Sequence, residues 1–226
     1  MTIDTKDLLN SILASFDRMT YIKSEDIPGI DLYMDQVTTF MDERLKKSAR
    51  NHGEDKLMTK TMINNYTKNN VIPPPDKKKY NKEHILILIM VYYFKSILQI
   101  NDIKDLMDPI IKKFFDNSNG FAMEDVYDEI FSDMDEDISK VRDDVAAQYQ
   151  DAMTKFEDAP DADKDYLKLY AFVCKLGCDV FLRKLLIEKI VDSLREQSEA
   201  ENIKSGKAKD KNNKYDVSVE KKSKKQ

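Results

Sequence analysis

The sequence predicts an all-α protein. Apolar residues recur every three or four positions through most of the 226 residues, which is the spacing of one face of a helix. The 35% of charged residues favours long solvated helices, and 5 glycines and 6 prolines are too few for the tight turns of a β-sandwich or barrel. The pattern divides the chain into a helix and linker over 1–29, a domain over 30–116, a helical region over 121–200 and a tail over 201–226.

The first two helices are expected over residues 5–18 and 32–47. Leu8, Leu9, Ile12, Leu13 and Phe16 have helical spacing in the first of them. The Ile27-Pro28-Gly29 break separates the two helices, and a polar loop over 48–55 follows the second.

A short helix over 59–69 comes next. Thr59 is a suitable N-cap, and Asn70 tolerates the left-handed conformation that ends a helix. Three prolines at 73–75 then hold the chain extended, Asn81 caps an apolar helix over 82–98, and a further helix starts at Asn101 or Asp102.

The second half predicts a long antiparallel helical hairpin. Apolar residues continue at helical spacing from Val126 to Phe156, and after Pro160 a last helix runs to about Ser198. We expect part of this surface to pair two chains through Val126, Ile130, Met134 and Ile138.

Charge is distributed unevenly along the chain. The tail from Lys204 carries nine lysines and three acids, so the rest of the chain accounts for −11 against a total of −5. The tail has no apolar periodicity and is expected to be disordered, either as a solubilising end or as an auxiliary nucleic-acid contact.

The acidic start and two cysteines favour a cytoplasmic protein, and the ten-residue apolar run 85–94 is too short to span a membrane.

The helix over 59–69 is the best candidate for a binding surface. Met62, Ile63 and Tyr66 share its inner face, whereas the outer face carries Lys60, Thr61, Asn64 and Lys68, with Asn65 and Thr67 at its flanks. Such side chains bind base edges and phosphates, and no acid lies between Asp55 and Asp76. An ordinary solvated helix is the alternative.

Three lysines, Lys77, Lys78 and Lys79, follow the proline turn. Next to this helix they are candidate phosphate contacts, which position a protein on DNA and add salt-sensitive affinity. A solvated loop is the alternative interpretation.

The segment TMINNYTKNNVIPPPDKKKYNKEHILILI resembles the winged helix-turn-helix of MerR-type transcription regulators. Thr59 matches the helix cap, Val71-Ile72-Pro73 the turn, and Tyr80 the tyrosine after the wing. Residues 30–110 are also similar to a bacterial family of unknown function that is grouped with MerR. The resemblance implies a MerR-like winged helix, DNA contacts that include Thr59 and Tyr80, and a dimerising helix over 121–156. Asn64 and Asn65 stand where MerR proteins have Arg-Tyr.

We therefore expect a dimeric regulator that binds double-stranded DNA and responds to an effector of unknown identity. The alternative is a protein-interaction module that keeps the winged-helix fold without binding DNA. We expect neither an enzyme nor a cofactor, because no nucleophile, metal or phosphate-loop motif is present.

Two smaller groups of residues have a structural expectation and a functional alternative. Cys174 and Cys178 share a helix face and are expected in the core, with metal or redox sensing as the alternative. Tyr92, Tyr93 and Phe94 are likewise expected in the core, with a ligand pocket as the alternative.

Overall fold

The computed structural model describes residues 5–16, 21–46, 57–117 and 120–220. These residues form mainly helices, which confirms the all-α prediction, with one small two-stranded sheet. In chain order the elements are α1 (Thr5–Phe16), β1 (Leu32–Tyr33), α2 (Met34–Leu45), α3 (Lys60–Lys68), β2 (Lys79–Tyr80), α4 (Lys82–Phe94), α5 (Ile100–Phe114), α6 (Met123–Phe131), α7 (Met134–Met153) and α8 (Asp161–Glu220). The predicted loop over 48–55, with His52, lies outside the described residues.

The ends of α3 and the start of α4 have the predicted capping residues. The Thr59 hydroxyl accepts a hydrogen bond from the Met62 N–H at 3.1 Å, and the Asn81 side chain accepts one from the His84 N–H at 3.1 Å. At the other end of α3, Asn70 is left-handed with φ 55° and the Val71 N–H donates to the Tyr66 carbonyl at 2.9 Å. This arrangement satisfies the last carbonyls of α3 and stops the helix sharply.

A two-residue hairpin turn connects α3 and its proline segment to β2. Lys77 and Lys78 have φ values of 46° and 67°, and the Lys79 N–H donates to the Asp76 carbonyl at 2.8 Å. Positive φ at both central positions is typical of the tight turn that suits twisted hairpin strands. β2 then pairs antiparallel with β1, with Leu32 opposite Tyr80 and Tyr33 opposite Lys79.

The main core surrounds α4, which is buried from His84 to Val91 because nearly every residue of that stretch is apolar. Residues from α2, α3, α5 and α6 pack around it, and the N-terminal segment before β1 contributes Ile22 and Ile27. Tyr92, Tyr93 and Phe94 are half-buried against this core, as expected for structural aromatic residues.

The helix expected over 121–156 is broken at Ser132–Asp133. α6 turns Met123, Tyr127 and Phe131 into the main core, and the Tyr127 hydroxyl donates to the Ile22 carbonyl at 2.5 Å. α7 turns Val145, Tyr149 and Ala152 into a second core with Leu9 of α1 and Phe172 of α8. The sequence pattern hides the break because the apolar spacing continues across it.

α8 contacts two different parts of the molecule along its length. Its first half packs against α7, as the predicted hairpin requires, and its middle packs against α5. Arg195 fixes the second contact, since its Nη2 lies 2.8 Å from Asp102 and its Nε 2.6 Å from Asp105.

The backbone of α8 remains helical to Glu220, so the first twenty residues of the segment expected to be disordered continue the helix. Adding residues to an existing helix is much easier than starting one, which is why a polar sequence can follow a packed segment. Within the described part of the chain, no helix combines the length and apolar character needed to cross a membrane.

Candidate nucleic-acid interface

Helix α3 presents two faces, as the sequence predicts. Ile63 and Tyr66 are buried in the main core, and Met62 packs against it. The outward face is exposed and holds Lys60, Thr61, Asn64, Asn65 and Lys68, with Thr59 half-buried at its start. Because the buried residues fix the rotation of α3, its hydrogen-bonding side chains are directed to solvent.

Tyr80 is placed differently from the expectation that it contacts DNA. Its side chain is 2% exposed, forms a hydrogen bond with Thr67 of α3 and lies edge-on to the His84 ring at 5.5 Å between centroids. Burial raises the pKa of its hydroxyl. The strand pairing with Leu32 turns this position inward, so Tyr80 connects α3 to the hairpin from below the surface.

The hairpin turn brings two of the three predicted lysines to the surface. Lys77 and Lys78 are exposed at the tip of the turn. Lys79 is half-buried, and its ammonium lies 5.4 Å from the centre of the Tyr33 ring on the paired strand. This cation–π contact orients Lys79 along the sheet, whereas Lys77 and Lys78 point into solvent, where they can meet phosphates.

Tyr33 and Asp35 belong to the same surface, although no motif in the sequence indicates it. Tyr33 is half-exposed beside Lys79, and the Asp35 carboxylate forms an ion pair with Lys60 at the start of α3. Both follow from the pairing of β1 with β2, a contact between residues nearly fifty positions apart. A two-residue strand leaves no periodic signal from which this contact could have been predicted.

His84 supports the base of the hairpin. Its ring is buried, with Nδ1 accepting from the Asn81 N–H at 3.2 Å and Nε2 lying 3.4 Å from the Pro74 carbonyl. Nδ1 also lies 2.5 Å from the side-chain oxygen of Asn81, so each ring nitrogen has an oxygen acceptor nearby. Burial lowers the pKa of His84, while the Pro74 carbonyl and the more distant Asp31 carboxylate act in the opposite direction.

Cys174 and Cys178 are both exposed on α8, so the expectation that they pack in the core is wrong. The reason is that α8 turns Phe172 and Leu176, rather than the cysteines, towards α7 and α1. Among the residues that the structure describes, no three His, Cys, Asp or Glu side chains are grouped so as to hold a metal ion.

A polar cleft of about 530 Å³ lies between α5 and α8, well apart in sequence from α3. Asp105, Asp108, Lys112, Arg195 and Ser198 are among its lining residues. Several of these charges already neutralise one another, as Arg195 does with Asp105 and Lys112 with Asp108 at 2.5 Å.

Comparison with known proteins gives one match. Residues 22–130 match the model of a family described as a domain of unknown function (DUF1836). The DUF1836 match covers just under half of the chain, and it contains nearly all buried residues of the main core, which run from Ile22 to Phe131 and are joined by Val191 of α8. It therefore includes α3, the hairpin and α6 but neither α7 nor α8. No curated protein and no solved structure matches the chain.

Proposed function

We propose that this protein is a transcription regulator that binds double-stranded DNA as a homodimer. The observation that carries the proposal is that the exposed polar face of α3 and the lysines of the hairpin turn are both joined to the β1–α2 segment, Lys60 through Asp35 and Lys79 through Tyr33. The stretch between Asp55 and Asp76 that builds most of this surface contains no acid, in a chain with 42 acidic residues. Such a surface suits the acceptor-rich edges of bases and the charge of phosphates.

The proposed contacts divide by chemistry. α3 is the element that enters the major groove, where the Asn64 and Asn65 amides can bind adenine, Lys68 can reach guanine or phosphate, and Thr61 can touch a thymine methyl. Lys77 and Lys78 reach the backbone from the hairpin and hold the protein in register. Thr59 contributes by fixing the start of α3 through its cap, and Tyr80 by supporting α3 and the hairpin from inside.

The resemblance to MerR-type regulators supports the same use of the surface. In that family a wing, a tyrosine and an apolar helix follow the recognition helix, and here the hairpin turn, Tyr80 and α4 follow α3. The DUF1836 match carries no activity with it, so the proposal depends on the surface and on this order of elements.

We place the dimer contact on α8. Tyr166, Tyr170, Val173 and Val180 are each more than half exposed, and exposed apolar surface of this extent is typical of an interaction site. By contrast, the predicted stripe is divided between α6 and α7, its Met134 packs against the main core, and only its Ile130 is strongly exposed. A two-fold dimer through α8 presents two α3 helices to DNA.

Binding to generic duplex DNA at several salt concentrations tests the proposal, with fluorescence anisotropy as the readout. We expect log K to fall linearly with log salt. Replacing Lys77 and Lys78 by Gln should weaken binding to all sequences and reduce the slope by about 1 for each phosphate that is no longer neutralised. Lys112 and Lys113, two exposed lysines on α5, provide the matched control and should leave the slope unchanged when replaced by Gln. No binding at low salt would contradict the proposal.

The alternative is a protein-interaction module that keeps this fold without binding DNA. The net charge of −11 outside the tail favours it, because an acidic body repels phosphate. In that case the dimer of α8 would persist while the salt titration would show no binding.

A further inference from the structure

The exposed face of α3 consists of two parallel rows, because residues four apart on a helix lie next to one another along its axis. One row is cationic, with Lys60 and Lys68 at its ends. The other row is uncharged and consists of Thr61, Asn65 and Asn69. An ammonium attracts phosphate whatever the base sequence, so we expect base discrimination mainly from the uncharged side chains.

Within the uncharged row, Asn69 holds the side chain of Asn65 in one orientation. The Asn69 Nδ2 lies 3.0 Å from Asn65 Oδ1 and 2.8 Å from the Asn65 backbone oxygen, so its NH2 group donates to both. Because an amide oxygen only accepts, Oδ1 of Asn65 is the atom that faces Asn69, and the NH2 group of Asn65 lies on the other side of the amide. Both side chains are exposed, so the oriented amide is accessible to a ligand.

The oriented amide of Asn65 matches the major-groove edge of adenine. Its oxygen has two lone pairs, of which Asn69 occupies one, and within the described part of the chain its NH2 group donates to no residue. Adenine presents the N6–H donor beside the N7 acceptor, so Oδ1 can accept from N6 while Nδ2 donates to N7. Guanine presents two acceptors there, O6 and N7, and would leave Oδ1 without a donor. The Asn65 amide should therefore prefer adenine to guanine.

The side-chain contact between Asn69 and Asn65 is not needed to end the helix. The Asn65 carbonyl already accepts a hydrogen bond from the Asn69 backbone N–H at 3.0 Å, and Asn70 supplies the left-handed stop. What the additional bond to Oδ1 does is restrict the rotation of an exposed side chain. A side chain that is still free before binding loses this freedom on DNA, which weakens binding by about 2–10-fold. Asn69 therefore prepares Asn65 for recognition.

The rest of the surface favours the same class of base pair. Thr61 precedes Asn65 by one turn, about 6 Å along the axis, and successive base pairs rise by about 3.4 Å, so the Thr61 methyl can contact a thymine methyl of a nearby pair. Arginine, a frequent reader of guanine, does not occur between Asp55 and Tyr80. Lys60, which could otherwise reach guanine, is paired with Asp35. The surface thus has more groups that match A·T pairs than groups that match G·C pairs.

We propose that Asn65 is a specificity-determining residue that reads adenine in the major groove, and that Asn69 is the positioning residue for its amide. The preferred DNA of this protein is then a duplex with an A·T pair opposite Asn65. The inference rests on the proposed DNA-binding function and adds the class of sequence that is bound. Asn69 acts through Asn65 and does not itself contact the base.

The test begins with the full chain and a library of randomised duplexes, from which bound sequences are selected at low salt. We expect an adenine whose exchange for guanine weakens binding about 5–150-fold. The probe for the contact is the same duplex with 7-deazaadenine at that position, which lacks the N7 acceptor and keeps the N6 donor. It should bind the natural chain about 2–10-fold more weakly. Asn65→Ala should bind the adenine and 7-deazaadenine duplexes equally.

A second set of variants tests the positioning role. Asn69→Ala should weaken binding to the adenine duplex about 2–10-fold and should have no further effect in an Asn65→Ala chain, because it acts only through Asn65. Asn69→Gln keeps the amide donor and should recover part of the affinity. Gln148→Ala is the matched control, since it removes a similar contact on α7, 2.8 Å to Asp144, and should change neither affinity nor preference.

The outcomes separate this inference from the proposed function. Binding without adenine preference, or discrimination against 7-deazaadenine that persists in Asn65→Ala, would overturn the inference and keep DNA binding. An equal loss from Asn69→Ala with and without Asn65 would overturn the positioning role. No binding to any duplex at low salt would overturn both the inference and the proposed function.

Discussion

Lys60, the first residue of the candidate recognition helix, forms an ion pair with Asp35 in the first turn of α2. Both side chains are more than half exposed, so the pair adds at most about 1 kcal/mol to stability. We expect the ion pair to affect DNA affinity more than stability. Asp35 neutralises Lys60, one of the few cations on the proposed DNA surface, and its carboxylate repels phosphate.

We therefore predict that Asp35→Asn binds DNA more tightly. Freeing Lys60 should raise affinity for generic duplex DNA about 2–5-fold at low salt, with a slope of log K against log salt that steepens by up to about 0.9. The gain should shrink as salt rises, since exposed charges are screened. Asp108→Asn, which releases Lys112 on α5 in the same way, is the control and should change neither quantity. Equal or weaker binding by Asp35→Asn would show that Lys60 does not face DNA.

Asn64 tests whether α3 reads bases. Asn64→Ala should weaken binding to a selected target site by about 1–3 kcal/mol and relax preference at one base pair. Its side chain is exposed, so the unfolding midpoint should hardly change. Asn101→Ala, at the exposed start of α5, serves as a control in the same selection and binding assays. Unchanged preference would remove Asn64 from the proposed contacts.

The buried His84 predicts a dependence of stability on pH. Because burial lowers its pKa in the folded state, the unfolded chain takes up a proton first as pH falls. The contribution of His84 to the free energy of unfolding should be fully present above pH 6.5, the ordinary pKa of histidine. Below that pH the free energy of unfolding should decline by up to about 1.4 kcal/mol per pH unit. Urea unfolding at pH 7.5, 6.5 and 5.5 measures the decline.

His84→Gln cannot titrate and separates this effect from those of the carboxyl groups. It should be less stable than the natural chain at pH 7.5, because it loses the ring contacts to Tyr80 and Phe115. The difference between the two proteins should then narrow as pH falls to 5.5. A constant difference across the three pH values would mean that His84 takes up its proton equally well in the folded chain.

Two double variants decide whether the dimer contact lies on α8 or on the predicted stripe of α6 and α7. The double variant Val173→Asp, Val180→Asp should be monomeric, because it would bury two charges in the dimer contact on α8. Light scattering measures the mass. DNA binding should weaken as well, because a monomer cannot bind bivalently. Ile130→Asp with Ile138→Asp, on the stripe that the sequence predicts, should leave the dimer intact. The opposite outcome would return the interface to the stripe, and a monomeric natural chain at high micromolar concentration would remove the dimer altogether.

Local features of the fold were predictable because single side chains determine them. Thr59 and Asn81 satisfy orphaned N–H groups one turn away, and Asn70 accepts the left-handed backbone, so each marks a helix end without knowledge of the tertiary structure. The inner face of α3 followed from spacing alone for the same reason.

Long-range contacts were not predictable in this way. Met134 follows Ile130 at helical spacing, so the break in the helix between α6 and α7 does not interrupt the apolar pattern. Only the two separate cores reveal it. The inward position of Tyr80 depends on its register with Leu32, and the exposure of Cys174 depends on which side of α8 meets α7. Each requires knowing which distant residues meet.

The length of α8 affects how the assembly can be measured. At about 1.5 Å per residue its 60 residues extend for about 90 Å, whereas a compact protein of this chain length has a radius of gyration near 17 Å. The 25 residues beyond Arg195 alone account for more than 35 Å of backbone. Such a particle diffuses slowly for its mass, so a monomer elutes early from a sizing column and can be mistaken for a dimer. Light scattering, which measures mass independently of shape, distinguishes the two.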